Sequence, residues 1–103
     1  MEIYEDISSS ELNNMINNKE KLILLDVRTE AEYNTSRIPN AINIPISDLD
    51  SQIDHLLPYK DEKIIIYCRS GKRSIYAAHL LDEYGFKHLY NLTQGIIGHL
   101  NYL

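Results

Sequence analysis

The sequence predicts an α/β domain of three layers, a mainly parallel sheet with helices on both faces. Three observations carry that prediction. Strand-length segments alternate with segments of helical period along the chain, the pattern of a parallel sheet joined by right-handed helical crossovers. Two of the strand segments, Leu22-Ile23-Leu24-Leu25 and Ile64-Ile65-Ile66-Tyr67, are apolar without a break, as strands buried on both faces are. Cap and turn residues fall between the segments rather than inside them. The 103 residues suit one domain, 1–103, with one modest core.

Glu2 to Glu5 reads as a short first strand with Ile3 buried. A helix follows: Ser8 and Glu11 fit a capping box, and Ile7 is placed to staple onto Leu12. Leu12, Met15 and Ile16 share one face of it, and Asn17-Asn18-Lys19-Glu20 ends it. The strand of Leu22 to Leu25 ends at Asp26, at the sheet edge where open α/β folds place their ligands. Asp26 and Arg28 form a local ion pair in this reading, structural rather than chemical. Thr29 and Glu32 make a second capping box. The helix it starts is short, because Ile38-Pro39 imposes extended geometry. Ala41 to Ile44 reads as a strand closed by Pro45. Ser47 then caps a helix whose stripe is Leu49, Ile53, Leu56 and Leu57, stopped by Pro58, with His55 facing solvent. Ile64 to Tyr67 is the next strand. The helix of Ile75 to Tyr84 carries Ala77, Leu80, Leu81 and Tyr84 at core spacing and stops at Gly85. Leu89 to Leu92 is the last strand, and Thr93-Gln94-Gly95 turns into a terminal helix bearing Ile96, Ile97 and Leu100.

Composition removes several function classes. The formal net charge is -5, which argues against nucleic acid as a partner. No apolar run approaches the roughly 20 residues of a membrane helix, and the acidic N-terminus is no secretory signal. A single cysteine excludes an internal disulfide, and a reducing cytoplasm is the expected setting. His55, His79, His88 and His99 stand at no metal-ligand spacing to Cys68, so no metal site is expected and the four read as surface or boundary residues.

The chemistry gathers in Cys68-Arg69-Ser70-Gly71-Lys72-Arg73-Ser74. A strand feeds this loop, and the loop feeds a helix N-terminus whose N–H groups are unpaired. Gly71 lets the chain curl, and Arg69, Lys72 and Arg73 add positive charge. Such a setting favours the thiolate. The plain alternative is a buried cysteine closing a core strand. Ser70 and Ser74 read as loop or helix-cap hydrogen bonders. The same N–H groups and cations also suit an oxyanion such as phosphate or arsenate.

The loop from Cys68 to Arg73 resembles the active-site loop of single-domain rhodanese-like sulfurtransferases. Asp26-Val27-Arg28-Thr29 with Glu32-Tyr33, and Ile38-Pro39-Asn40-Ala41-Ile42-Asn43-Ile44-Pro45, are similar to the family's upstream blocks. Tyr84-Gly85-Phe86 and Asn91-Leu92-Thr93-Gln94-Gly95-Ile96 are similar to its downstream ones. The resemblance implies a five-stranded sheet of order 3-2-4-5-1 with the cysteine loop after the fourth strand. It implies catalysis by Cys68 through a persulfide and substrate contacts from Arg69, Ser70, Gly71, Lys72 and Arg73. Asp26, Arg28 and Ser74 would support the site. The donor would be a small sulfur anion such as thiosulfate, the acceptor a thiol, a protein thiol or cyanide, with no cofactor. Related phosphatases and arsenate reductases share the fold, the phosphatases with a loop one residue longer; a non-catalytic binding module is a third reading. Arg37 stands where many members carry histidine, Thr93-Gln94-Gly95 replaces an acidic-Gly-Gly, and the terminal tryptophan is missing.

Overall fold

The computed structural model describes the backbone of residues 2–102 and the side chains of residues 2–99. Five strands form one sheet: β1 (Glu5–Ile7), β2 (Leu22–Asp26), β3 (Ile42–Asn43), β4 (Lys63–Tyr67) and β5 (Leu89–Leu92). Their spatial order is β1-β5-β4-β2-β3, and the four pairings, β1·β5, β5·β4, β4·β2 and β2·β3, are parallel. The helices are α1 (Ser9–Asn17), α2 (Glu30–Thr35), α3 (Arg73–Glu83) and α4 (Gly95–Tyr102). Among the described residues no helix is long and apolar enough to cross a membrane.

Side-chain alternation along the central strands makes two cores. Ile64, Ile66 and Cys68 face one side with Leu25, Val27, Ala77, Ala78, Leu81 and Phe86. Ile65 and Tyr67 face the other with Leu12, Leu24, Leu92 and Ile96. The unbroken apolar runs are thus explained: β2 and β4 lie inside the sheet and are covered above and below. The small Ala77 and Ala78 are fully buried, so α3 sits close to β4, the strand that delivers the cysteine.

Both capping boxes are present, Ser8 with Glu11 and Thr29 with Glu32. α3 ends where Gly85 adopts φ +91. There the Gly85 N–H bonds the Asp82 carbonyl at 2.9 Å and the Phe86 N–H bonds the Leu81 carbonyl at 3.1 Å, the hydrogen-bond pair of a Schellman end.

Several expectations are corrected. The first strand is Glu5–Ile7 rather than residues 2–5, and Ile7, not Ile3, is its buried residue. The third strand is only Ile42–Asn43. No single helix spans Ser47 to Leu57; the segment winds as three separate 3-10 turns, Ile46–Asp48, Ile53–His55 and Leu57–Tyr59. Pro45, not Ser47, precedes the first turn, and Pro58 lies inside the third instead of ending a helix. Ser51 bonds the Asp48 carbonyl through its hydroxyl at 3.0 Å, a local bond that competes with helix continuation. Leu49, Ile53 and Leu56 still reach the core, whereas Leu57 is exposed. Tyr84, expected at core spacing, is exposed, as are Ile16 and Ile97, and the Tyr84 hydroxyl donates to Asp50 instead. Leu100 lies outside the described side chains.

Candidate active site

Three strand ends build the site: β2 with Asp26 to Arg28, β4 with Cys68, and β5 with Thr93 to Gly95. The loop of Cys68 to Lys72 curls because Gly71 takes φ +94, a conformation open to glycine. A β-carbon there would lie 2.1 Å from the Thr93 carbonyl oxygen, so loop and turn touch backbone to backbone. The reverse contact is as close: a β-carbon on Gly95 would lie 2.3 Å from the Arg69 carbonyl oxygen. The start of α4 also fixes the loop, as Ile96 N–H donates to the Cys68 carbonyl at 2.9 Å and Ile97 N–H to the Arg69 carbonyl at 3.3 Å.

Within this frame Cys68 is 1% exposed. The Gly71 N–H donates to its Sγ at 3.1 Å, and the Ser74 hydroxyl lies 3.6 Å away. Burial pushes the thiol pKa up, but the Ser74 N–H and hydroxyl and the Ser70 and Gly71 N–H groups pull harder, and the net shift is downward. The thiolate is therefore favoured by aimed hydrogen-bond donors at a helix start, more than by the loop cations. Of the two roles the sequence left open for Ser74, a loop hydrogen bond or a cap of α3, the cap is not made; it lies one residue inside the helix and donates to Asn91 Oδ1.

The cations divide. Arg69 and Lys72 are exposed on the loop, as is Ser70. Arg73 turns to α2, where Nη1 and Nη2 grip Glu32 Oε1 and Oε2 at 2.8 and 3.0 Å. This fork holds the Glu32 carboxyl down at about 2, with burial opposing and the Thr29 N–H assisting. Glu32 thus serves twice, as cap of α2 and as partner of Arg73. The sequence suggested only the first role.

Asp26 and Arg28 form the buried pair the sequence suggested. Arg28 Nη2 lies 2.7 Å from Asp26 Oδ2, Nε lies 3.0 Å from Oδ1, and Nη2 also reaches the Ser36 carbonyl at 2.6 Å. Burial opposes the Arg28 charge, but Asp26 outweighs it and the guanidinium pKa is raised. The pair rigidifies the turn after β2 beside the Cys68 loop. Arg28, Glu32, Thr35, Ser36, Arg69, Ile96 and Ile97 line a cleft of 230 Å³ at this edge. Arg37 is exposed and stacks on the Tyr33 ring, 4.4 Å from its centroid.

Two site residues escaped the sequence reading. Asn91 is 2% exposed and bonds Ser74, and Asp6 accepts from Asn91 Nδ2 at 3.0 Å. A polar residue inside the apolar run of β5 was the available signal for Asn91; Asp6 had none. His99, expected at the surface, is 4% exposed. Its Nδ1 has no hydrogen-bond partner among the described residues, and burial lowers its pKa. It lines a separate apolar groove of 430 Å³ with Asn13, Ile16, Leu22 and Ile38.

Comparison with known proteins agrees with this architecture. The chain is 36% identical over 98 residues to a sulfurtransferase of Allochromatium vinosum, covering 89% of this chain and 84% of that one. It is 35% identical over 95 residues to the tRNA uridine(34) hydroxylase of Buchnera aphidicola, covering 88% of this chain but only 30% of that relative's length. The crystal structure of a rhodanese-related protein from Thermoplasma volcanium superposes with a TM-score of 0.84 at 30% identity, covering 96% of this chain and 93% of that one. The family profile described as rhodanese-like domain matches residues 8–99; with its five-stranded parallel sheet and its cysteine loop, this chain belongs to the rhodanese-like domain family.

Proposed function

We propose that the chain is a sulfurtransferase that carries a sulfane sulfur on Cys68 as a persulfide, its 103 residues acting as one domain. The observation that carries this reading is the set of N–H donors closing on one buried sulfur, with Gly71 N–H at 3.1 Å from Sγ. Donors aimed at Sγ stabilise its negative charge in the resting thiolate and again as it departs as leaving group. A relative of similar length is named a sulfurtransferase, and this supports the same class of reaction.

In the first step the Cys68 thiolate attacks the outer sulfur of a donor such as thiosulfate. The donor's S–S bond breaks, and sulfite departs with the bonding electron pair. In the second step an acceptor thiolate, or cyanide, attacks the outer sulfur of the persulfide. The Cys68 thiolate leaves with the electron pair of that S–S bond, and the cycle closes. Arg69 and Lys72, exposed on the loop, attract the anionic donor. Ser70 and Gly71 offer N–H groups to the sulfur, and Arg73 holds the loop's end through Glu32. Asp26, Arg28 and Ser74 keep the walls in place. Two displacements through a covalent intermediate give ping-pong kinetics.

Intact mass after treatment with thiosulfate tests the proposal. Wild type should gain one sulfur atom, and Cys68→Ser none. A wild type that takes up no sulfur, or a Cys68→Ser variant that takes it up equally, would overturn the assignment. A parallel assay with a phosphotyrosine analogue, and with arsenate plus thiol, should give less turnover than thiosulfate plus cyanide.

A further inference from the structure

A line of polar groups runs from the reactive sulfur to the opposite edge of the sheet. Cys68 Sγ lies 3.6 Å from Ser74 Oγ, and either atom can donate. The Ser74 hydroxyl donates to Asn91 Oδ1. Asn91 Nδ2 donates to Asp6 Oδ1 at 3.0 Å. Ser74 and Asn91 are buried, at 0% and 2% exposure, and Asp6 ends the line at the surface.

A serine hydroxyl has one proton to give. Given to Asn91, it leaves Oγ free to accept, and the neutral thiol can fill that place with its S–H. Given to Cys68, it stabilises the thiolate and strips Asn91 Oδ1 of its donor. Which arrangement is preferred depends on which end of the Asn91 amide faces Ser74. Asp6 decides that, because a carboxylate only accepts and so binds the NH2 end. Among the described residues Nδ2 has one other acceptor, the Gly71 carbonyl at 3.5 Å, at the limit of hydrogen bonding.

We infer that Asp6 is a positioning residue for Cys68: by holding the Asn91 amide it draws the Ser74 hydroxyl proton away from the sulfur. The thiolate is then held chiefly by backbone N–H groups, with the pull of the hydroxyl weakened by its competing bond to Asn91. A sulfur anion bound by fewer donors is more basic and more nucleophilic, so Asp6 trades thiolate population for reactivity. Other charged groups around the thiol are Arg69 and Lys72 on the loop, Arg73 of α3 with Glu32 of α2, and Asp26 with Arg28 at the end of β2. Further titratable groups on the surrounding elements include Glu5 of β1, Glu11 of α1, Tyr67 of β4, His79 of α3, Tyr90 of β5 and His99 of α4. None of them contacts Asn91 or Ser74 among the described hydrogen bonds.

The inference rests on Cys68 being the reacting atom, but alkylation reads the free thiol whether or not sulfur is transferred. Failure of the persulfide test therefore leaves this one readable. Measure the rate of Cys68 alkylation by iodoacetamide against pH in wild type, Asp6→Ala, Asp6→Asn, Ser74→Ala and the double variant Asp6→Ala/Ser74→Ala. Losing Asp6 should free the amide to turn and send the hydroxyl proton to sulfur. The titration midpoint should fall in Asp6→Ala, and in lesser degree in the size-matched Asp6→Asn. If the fall is one unit, the rate rises about threefold below the midpoint and drops about threefold on the alkaline plateau, since nucleophilicity falls with basicity. Unspecific damage to the fold would not make the two curves cross. In the Ser74→Ala background the crossing should vanish. An unchanged or raised midpoint in both Asp6 variants would overturn the inference. So would an equal displacement with and without Ser74, which would assign the effect to removal of a charge.

Discussion

Arg73 gives the clearest prediction at the scale of single residues. Its two terminal nitrogens fit the two oxygens of Glu32, a fork that lysine cannot copy. Arg73→Lys keeps the charge and loses the geometry. One charge-assisted hydrogen bond is worth about 1.5–3 kcal/mol, so sulfur transfer should fall roughly tenfold or more if the loss is felt in the transition state. Lys72→Ala should instead weaken capture of an anionic donor, raising KM and leaving the melting temperature nearly unchanged. Glu32→Gln should resemble Arg73→Lys, and its effect should depend on pH. The Glu32 carboxyl titrates near 2 rather than at its ordinary 4.5, so the folded state prefers its charged form. The stability this lends is complete above the ordinary value and disappears as pH falls through the folded one. The gap in melting temperature between wild type and Glu32→Gln should be full above pH 4.5 and close as pH approaches 2. A constant gap would mean that the carboxylate acts only by filling space.

Among the elements, the helix starts were legible because their causes are local. Ser8 and Glu11 satisfy each other's backbone groups within one turn, at 3.1 and 3.0 Å. Ser8→Ala should cost about 1 kcal/mol, read as a drop of roughly 4–8 °C in a thermal melt for a chain of this size. A drop under one degree would show that α1 is held by packing alone. The segment between Pro45 and Lys60 was not legible as to its winding, although Leu49, Ile53 and Leu56 of its expected stripe do reach the core. Leu49, Ile53 and Leu56 are spaced as in a helix, but the spacing is also met by tight turns, with Ile53 inside one and Leu49 and Leu56 at turn ends. Asp48, Ser51 and Pro58 tip the choice through local bonds and a missing N–H, effects that periodicity does not register. The strands of the sheet interior could be read from their apolar runs. Of the short, half-polar edge strands, β3 was placed to within one residue at each end, whereas β1 was placed two to three residues too early. The link from Asp6 to Asn91 lay beyond reach for another reason: 85 positions separate the partners, and only the adjacency of β1 and β5 brings them together.

For the whole molecule, alternation of strands and helices was enough for the fold class. The strand order came from family resemblance, since periodicity says nothing about which strands are neighbours. That order matters because it sets β5 beside β4, so that the turn after β5 becomes the floor of the cysteine loop. Gly95→Ala should expose this dependence. Its φ of +61 disfavours a side chain, and the added carbon would meet the Arg69 carbonyl oxygen at 2.3 Å. The strain alone costs about 1–2 kcal/mol, and the clash must also displace the loop. Melting temperature and sulfur transfer should therefore fall together; a stable, fully active variant would mean that the two segments yield independently. The same contact bears on how such a protein can change its chemistry over generations. A lengthened loop, needed to enclose a bulkier anion, has no room to bulge downward while Thr93 and Gly95 stay where they are. A new substrate class is then reachable only through coordinated changes in two distant stretches of the gene. Random variation confined to Arg69–Lys72 would sample side chains on an unchanged cradle. Selection for a larger substrate should recover paired mutants, one in the loop and one at residues 93 to 95, far more often than either alone.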